Sequence, residues 1–107
     1  MISPALLSKQ YIDEHYNCSH FVADVWEELT GEKLPFQTVG LSIKNRLFKK
    51  PLKQKQDPCI VMFRASGVTA HAGVYVDGMV LHLNESGVKH ESVDRIAMTY
   101  DSVRYYA

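Results

Sequence analysis

Three residues of this 107-residue chain have the types and the predicted positions that chemistry requires: Cys18, His71 and His82. Cys18 opens an amphipathic helix, where the positive end of the helix dipole and unpaired N–H groups lower a cysteine pKa from ~8.5 towards ~3.5–7.5. The same N–H groups can hold an oxyanion. A neighbouring imidazole would accept the thiol proton, so the pattern predicts a nucleophilic cysteine with a histidine base. The competing interpretation is an inert core cysteine, because Cys18 also falls on the apolar stripe.

The helix that must position Cys18 has clear ends in the sequence. Asn17 is a good N-cap, and Gly31 stands where a helix is expected to stop. Spacings of three and four residues predict one apolar face, made of Cys18, Phe21, Val22, Val25, Trp26 and Leu29. Before it, Ser3-Pro4 predicts a first helix that runs to about Glu14, with a break at 15–16.

After Cys59 the apolar period changes to two, which predicts strands. These are CIVMFR (59–64), HAGVYV (71–76), MVLHLN (79–84), VKHES (88–92) and SVRYYA (102–107), with a helical or irregular piece between the last two. LSIKNRLF (41–48) predicts a short helix that Pro51 closes. We therefore expect a single domain over residues 1–107, an α+β fold with N-terminal helices packed on an antiparallel sheet of four to five strands.

Asp77-Gly78 predicts a two-residue hairpin, and the hairpin brings the two histidines together. In that register Gly73 faces His82 and His71 faces Asn84. The apolar face of the hairpin carries Ala72, Val74, Val76, Met79, Leu81 and Leu83; the other face carries His71, Gly73, Tyr75, Val80, His82 and Asn84. Diagonal Cβ atoms lie ~7–8 Å apart, and Gly73 has no side chain to separate the rings. We expect a triad in which His71 is the base and His82 or Asn84 orients it.

Three short motifs in this order resemble the NlpC-type cell-wall peptidases, which are papain-like cysteine enzymes. They are Asn17-Cys18-Ser19 at a helix start, His71-Ala72-Gly73-Val74-Tyr75-Val76 on one strand and Val80-Leu81-His82 on the next. The helix end, from Glu28 through Leu34-Pro35, resembles in particular the short members found in phage tails. The resemblance spans roughly residues 11 to 92.

The resemblance implies the NlpC-type papain-like fold and a Cys18–His71–His82 triad. The expected function is a cysteine peptidase that hydrolyses the peptide stem of peptidoglycan, next to a D-glutamyl γ-linkage, through an acyl-enzyme. Around the triad we place five near-site residues: Asn17, Ser19, His20, Gly73 and Asn84. The implied partners are the stem peptide and phage-tail or effector proteins, and no cofactor is expected.

Two departures from the family pattern keep other functions open. His20 stands where the family usually has glycine, and no segment matches the upstream Tyr-x-x-Gly-Gly region. These departures favour the alternative of a catalytically inactive structural or binding module; acyltransferase chemistry on another substrate is a further alternative. We expect no metal site, because there is no CxxC or HxxxH spacing. No glycine loop that would hold a nucleotide phosphate is present.

Composition and charge exclude some partners. The chain has no net charge, is 46% hydrophobic and contains no apolar run near the ~20 residues of a membrane span. Seven Lys/Arg lie between Lys33 and Gln56; we interpret them as a solvated surface or an anion-facing one, without a nucleic-acid-binding motif. No signal peptide is visible, so we expect synthesis in the cytoplasm and delivery with a virion or by a dedicated export route. Cys18 and Cys59 are expected as free thiols, and as a disulfide only in an oxidising setting.

Overall fold

The structure, a computed structural model, describes residues 2–12, 15–34 and 50–107. In this part of the chain the elements are α1 (Pro4–Leu7), α2 (Cys18–Thr30), β1 (Pro51–Leu52), β2 (Cys59–Arg64), β3 (His71–Val76), β4 (Met79–Asn84), β5 (Gly87–Glu91), α3 (Val93–Ala97) and β6 (Ser102–Tyr106). The strands form one antiparallel sheet in the order β1-β6-β2-β3-β4-β5. The predicted α+β class is confirmed.

The sheet has six strands rather than the four to five expected. The additional strand is β1, which has two residues and pairs with Tyr105 and Tyr106 of β6. Two residues, one of them proline, are too few to show an alternating pattern, so the sequence contains no local signal for this strand. The helix predicted over 41–48 lies outside the described residues.

The first helix is much shorter than expected, because α1 ends at Leu7 rather than near Glu14. Ser8 caps it, with its hydroxyl donating to the Pro4 carbonyl at 2.8 Å. The chain after Ser8 then turns, and the Ile12 N–H donates to the Tyr16 carbonyl at 2.9 Å. A four-residue helix with one buried side chain has little to stabilise further turns, which explains the early end.

Helix α2 has the ends that the sequence predicts, and these ends place Cys18. The Asn17 side chain accepts from the Ser19 N–H at 3.1 Å, and His20 Nδ1 accepts from the Asn17 N–H at 3.0 Å. At the other end Gly31 adopts φ 79°, a left-handed conformation that glycine takes without steric cost. Cys18 is therefore held as the first residue of the helix.

Both faces of the sheet are packed. On one face α2 covers a cluster that includes Phe21, Val22, Val25, Trp26, Ile60, Met62, Ala72, Val74, Leu81 and Leu83. On the other face a smaller cluster contains Cys59, Val61, Phe63, Val80 and Ile96 of α3. The face that carries the histidines is thus a second core rather than an open surface. Met79, assigned to the first core from its register, is 43% exposed because it follows the hairpin turn at the end of the sheet.

Next to the turn the β3–β4 hairpin has the predicted register, with Val74 opposite Leu81, Tyr75 opposite Val80 and Val76 opposite Met79. The pairs expected further from the turn, Gly73 with His82 and His71 with Asn84, are not among the ladder pairs of these two strands. Asp77 and Gly78 both have positive φ, 55° and 82°, as a type I′ turn requires.

The helices in the described part of the chain are too short or too polar to span a membrane.

Gly73 on β3 leaves no room for a side chain between it and β4. A Cβ atom there would lie 2.5 Å from Val80 Cγ1 and 3.0 Å from both His82 Cβ and the Leu81 carbonyl oxygen. Because Val80 is fully buried, it has little room to move away. The missing side chain is therefore what allows the strands, and the histidines they carry, to come together.

We expect Gly73→Ala to lower the free energy of unfolding by about 1–3 kcal/mol, because the added methyl overpacks a buried contact. Chemical denaturation measures this loss. The matched test is the same substitution in a Val80→Ala background, where the nearest atom is gone and the cost of the added methyl should be smaller. Equal costs in the two backgrounds would contradict the close approach.

Candidate active site

Cys18 lies at the start of α2 with 3% of its surface exposed. Burial raises the pKa of the Cys18 thiol, and the N–H groups of Ala72, Cys18 and Ser19 lower it by a smaller amount. The expectation of a lowered pKa is therefore wrong for the protein in this conformation. The helix N-terminus lowers the pKa of the thiol, as expected. Burial removes the thiolate from water, and this raises the pKa by more.

The Cys18 thiol and His71 lie at the same end of β3. Ala72, whose N–H faces the thiol, directly follows His71 on the strand. The Tyr100 ring stacks on His71, with ring centroids 6.3 Å apart and planes at 14°. Burial, and then the charge of a Cys18 thiolate, raise the pKa of Tyr100, so the thiol is also close to this tyrosine. Cys18 and His71 thus reach the same end of β3, where the thiol contacts the backbone of Ala72 rather than the His71 ring in this structure.

The two histidines are in direct contact, which confirms the prediction from the hairpin register. His71 Nε2 lies 2.8 Å from His82 Nδ1, and the rings meet edge to face at a centroid distance of 4.9 Å. Burial, and then the neighbouring His82, lower the pKa of His71 to about 4, against a smaller opposing effect of Glu91. His71 is therefore neutral at pH 7 and able to accept a proton.

Behind His82 lies a carboxylate that the sequence analysis missed. His82 Nε2 is 2.8 Å from Glu91 Oε2, and Arg95 Nε donates to Glu91 Oε1 at 3.0 Å. The hydrogen bond with His82 is the main cause that lowers the pKa of Glu91. A signal did exist: β5 pairs Glu91 with Val80, which places it on the histidine face of the sheet.

The five near-site residues have different positions. Asn17 and Ser19 are buried, and the Ser19 hydroxyl donates to Asn17 Oδ1 at 2.6 Å, so both hold the start of α2. His20 belongs to the same cap, and its ring stacks on Tyr16 at a centroid distance of 5.8 Å. Asn84 does not orient His71; its Oδ1 accepts from the Ser86 N–H at 2.8 Å. Of the two orienting candidates, His82 is the one in contact.

Two clefts border the segment around Tyr100. The first, of about 360 Å³, is lined by His71, His82, Asn84, Glu85, Glu91, Arg95, Ile96, Thr99 and Tyr100. The second, of about 410 Å³, is lined by Arg64, Ala65, Ser66, Val68, Ala70, Asp101 and Ser102. His71 lines the first cleft and its neighbour Ala70 lines the second, so both clefts reach the start of β3. Neither cleft is lined by Cys18 or His20.

In the described ranges no three or more His, Cys, Asp or Glu side chains form a group that could hold a metal ion. Cys18 and Cys59 are both free thiols and both buried. The site therefore consists of an imidazole pair and, at the neighbouring Ala72, a thiol at a helix N-terminus.

Comparison with known proteins identifies the fold. No family model matches the chain, and no curated protein matches it significantly. A solved structure does: the crystal structure of the NlpC/p60 domain of the peptidoglycan hydrolase SagA superposes with a TM-score of 0.64. The alignment covers 96% of this chain and 90% of that one at 19% sequence identity. The chain thus has the papain-like NlpC/p60 fold, as the resemblance implied; the phage-tail resemblance stays a prediction.

The lowered pKa of His71 predicts a pH-dependent stability. The unfolded chain binds a proton at His71 near pH 6.5, whereas the folded protein does so only at about pH 4. The unfolded state therefore holds more protons between these values, and stability falls as pH falls through this window. We expect a loss of about 3 kcal/mol from this residue, complete below about pH 4.

Denaturant unfolding at a series of pH values measures this loss, with His71→Gln as the matched control. The variant should lose less stability than the native protein between pH 6.5 and 4. The same pH dependence in both proteins would show that His71 titrates normally when folded.

Proposed function

We propose that this protein is a thiol hydrolase that cleaves amide bonds in the peptide stems of peptidoglycan. The observation that carries the proposal is the 2.8 Å contact of His71 with His82, next to Ala72, whose N–H faces the thiol of the cysteine that opens α2. The fold supports it, since the similar solved structure is a domain of a peptidoglycan hydrolase. In the proposal Cys18 is the nucleophile, His71 the general base and His82 the residue that orients it.

The first half-reaction transfers an acyl group to the enzyme. Cys18 Sγ attacks the amide carbonyl carbon while His71 takes the thiol proton, and a tetrahedral oxyanion forms. N–H groups at the start of α2 stabilise this oxyanion. The C–N bond then breaks, and His71 returns the proton to the departing amine.

The second half-reaction releases the acid. A water molecule attacks the thioester carbon, and His71 accepts one proton of that water. The C–S bond breaks, the carboxylic acid leaves, and the proton on His71 returns to the Cys18 thiolate. Each turnover therefore consumes one water and requires no cofactor.

The charge state of the resting site follows from burial. The thiol has a raised pKa and His71 a lowered one, so the site rests as a neutral thiol and a neutral imidazole. A Cys18 thiolate and a protonated His71 would have to form where water solvates them poorly, which is unfavourable. Proton transfer therefore accompanies attack on the substrate instead of preceding it.

The substrate would lie across the start of β3. The first cleft is lined by His71 and His82, so a stem peptide held there would lie against the imidazole pair. The first cleft holds both Glu91 and Arg95, so it suits polar groups better than apolar ones.

An inactive binding module on the same fold is the second candidate function. It is favoured by the 3% exposure of Cys18, which leaves little of the thiol accessible to a substrate. In that case the clefts would hold a stem peptide without cleaving it. The predicted link to a phage tail or an effector partner fits this candidate as well as the hydrolase.

The test is digestion of purified peptidoglycan, with the released fragments identified by mass spectrometry. We expect new amine and carboxyl ends within the stem peptides, and a rate at least about 10³-fold lower for Cys18→Ser, because the hydroxyl is a far weaker nucleophile at this site. Cys59→Ala is the matched control, since Cys59 is also a buried free thiol and belongs to the smaller core cluster.

The control variant should cleave at close to the native rate. Cleavage that persists in Cys18→Ser would overturn the thiol mechanism. Binding of peptidoglycan without cleavage, equal in the native protein and in Cys18→Ser, would support the binding module instead.

A further inference from the structure

We propose that Glu91 is a positioning residue that sets the tautomer of His71 by acting through His82, an inference that rests on the proposed hydrolase function. The three side chains form a continuous chain of contacts. His71 Nε2 lies 2.8 Å from His82 Nδ1, and His82 Nε2 lies 2.8 Å from Glu91 Oε2. The triad of the proposed mechanism thus becomes a tetrad.

The direction of each hydrogen bond follows from the carboxylate. Ionised Glu91 can only accept, so His82 must carry its proton on Nε2. A neutral His82 then has a bare Nδ1, which can only accept from the next ring. His71 must therefore donate from Nε2, and its own Nδ1 is left without a proton.

The direction of these two hydrogen bonds decides whether His71 can act as a base. Its Nε2 is occupied by His82, so Nδ1 is the nitrogen left to take the thiol proton of Cys18. In the reverse order His82 would donate from Nδ1, and His71 would carry its proton on the nitrogen that must accept. Such a tautomer cannot deprotonate the thiol without first exchanging its proton.

The residues around Glu91 hold it where its carboxylate can set the direction of these hydrogen bonds. Its backbone pairs with Val80 at the end of β5, and its other oxygen accepts from Arg95 at 3.0 Å. Ser92 caps α3 by accepting from the Arg95 N–H at 3.2 Å, which fixes the turn between the strand and the helix. His82 is 4% exposed at its side chain and Glu91 is 28% exposed. The contact between them is therefore shielded from water on the His82 side and partly open to water on the Glu91 side.

Two other roles for Glu91 are distinguishable from this one. It lines the first cleft, so it could contact substrate directly, or it could serve only as a structural ion pair with Arg95. A substrate contact would act without His82. A structural pair would change stability and leave the imidazole tautomers unchanged.

The experiment is ¹⁵N NMR of the imidazole nitrogens in the free protein, with Glu91→Gln as the test variant. In the native protein we expect His71 to be protonated on Nε2 and bare on Nδ1. In Glu91→Gln the amide can either accept from or donate to His82, so we expect a mixture of both tautomers in both rings. Glu85→Gln is the matched control, since Glu85 lines the same cleft and should leave the tautomers as in the native protein.

Hydrolysis kinetics then connect the tautomer to turnover. We expect Glu91→Gln to lower kcat at an unchanged KM in proportion to the fraction of enzyme that holds the unproductive tautomer, about 2-fold for an even mixture. In a His82→Ala background the same substitution should have no further effect. An effect that persists in that background, or that falls on KM, would overturn the proposal in favour of a substrate contact.

The NMR result does not depend on activity. Unchanged tautomers in Glu91→Gln would overturn the positioning role even if the protein hydrolyses peptidoglycan. A protein that shows the expected tautomers and cleaves nothing would contradict the proposed function alone.

Discussion

The hydrogen bond between the rings of His71 and His82 is the interaction on which the rest of the site depends. It requires one ring nitrogen that carries a proton and one that does not, so two protonated rings could not form it. Burial enforces the neutral state, because a charged imidazole would lose its hydration there. The contact also needs the close approach of β3 and β4 at Gly73, where a side chain would collide with Val80.

Packing on both faces of the sheet produces these conditions. On one face α2 covers the sheet and brings Cys18 to the start of β3. On the other face the cluster around Phe63 and Ile96 shields the histidines, and Tyr100 closes over His71. The thiol and the imidazoles therefore belong to opposite layers that meet at one end of a strand. A site built in this way is as rigid as the two cores that hold it.

Two electrostatic effects compete at Cys18, and the larger one decides its resting state. Backbone N–H groups at the helix start favour the thiolate, while burial disfavours it. Burial dominates, and the thiol therefore keeps a raised pKa in the resting protein. In the proposed reaction the main effect of the helix dipole is to stabilise the oxyanion. The same balance separates the two candidate functions, since a hydrolase must admit substrate to the thiol and a binding module need not.

The sequence by itself determined the elements whose contacts are close along the chain. Asn17 and Gly31 mark the ends of α2, because caps are formed by side chains and backbone within a few residues. The alternation around Asp77-Gly78 sets the hairpin register, and with it the pairing of the two histidines. The NlpC-type fold was implied by the resemblance of these short motifs to a known family, and the structural comparison bears it out.

Only the tertiary structure decided the features that depend on distant parts of the chain. The early end of α1 and the pairing of β1 with β6 reflect packing that no local pattern encodes. Glu91 reaches His82 from a third strand, and its role could not be read from the hairpin alone. The raised pKa of Cys18 is likewise a property of burial, because the number of atoms that exclude water from the thiol is set by the whole fold.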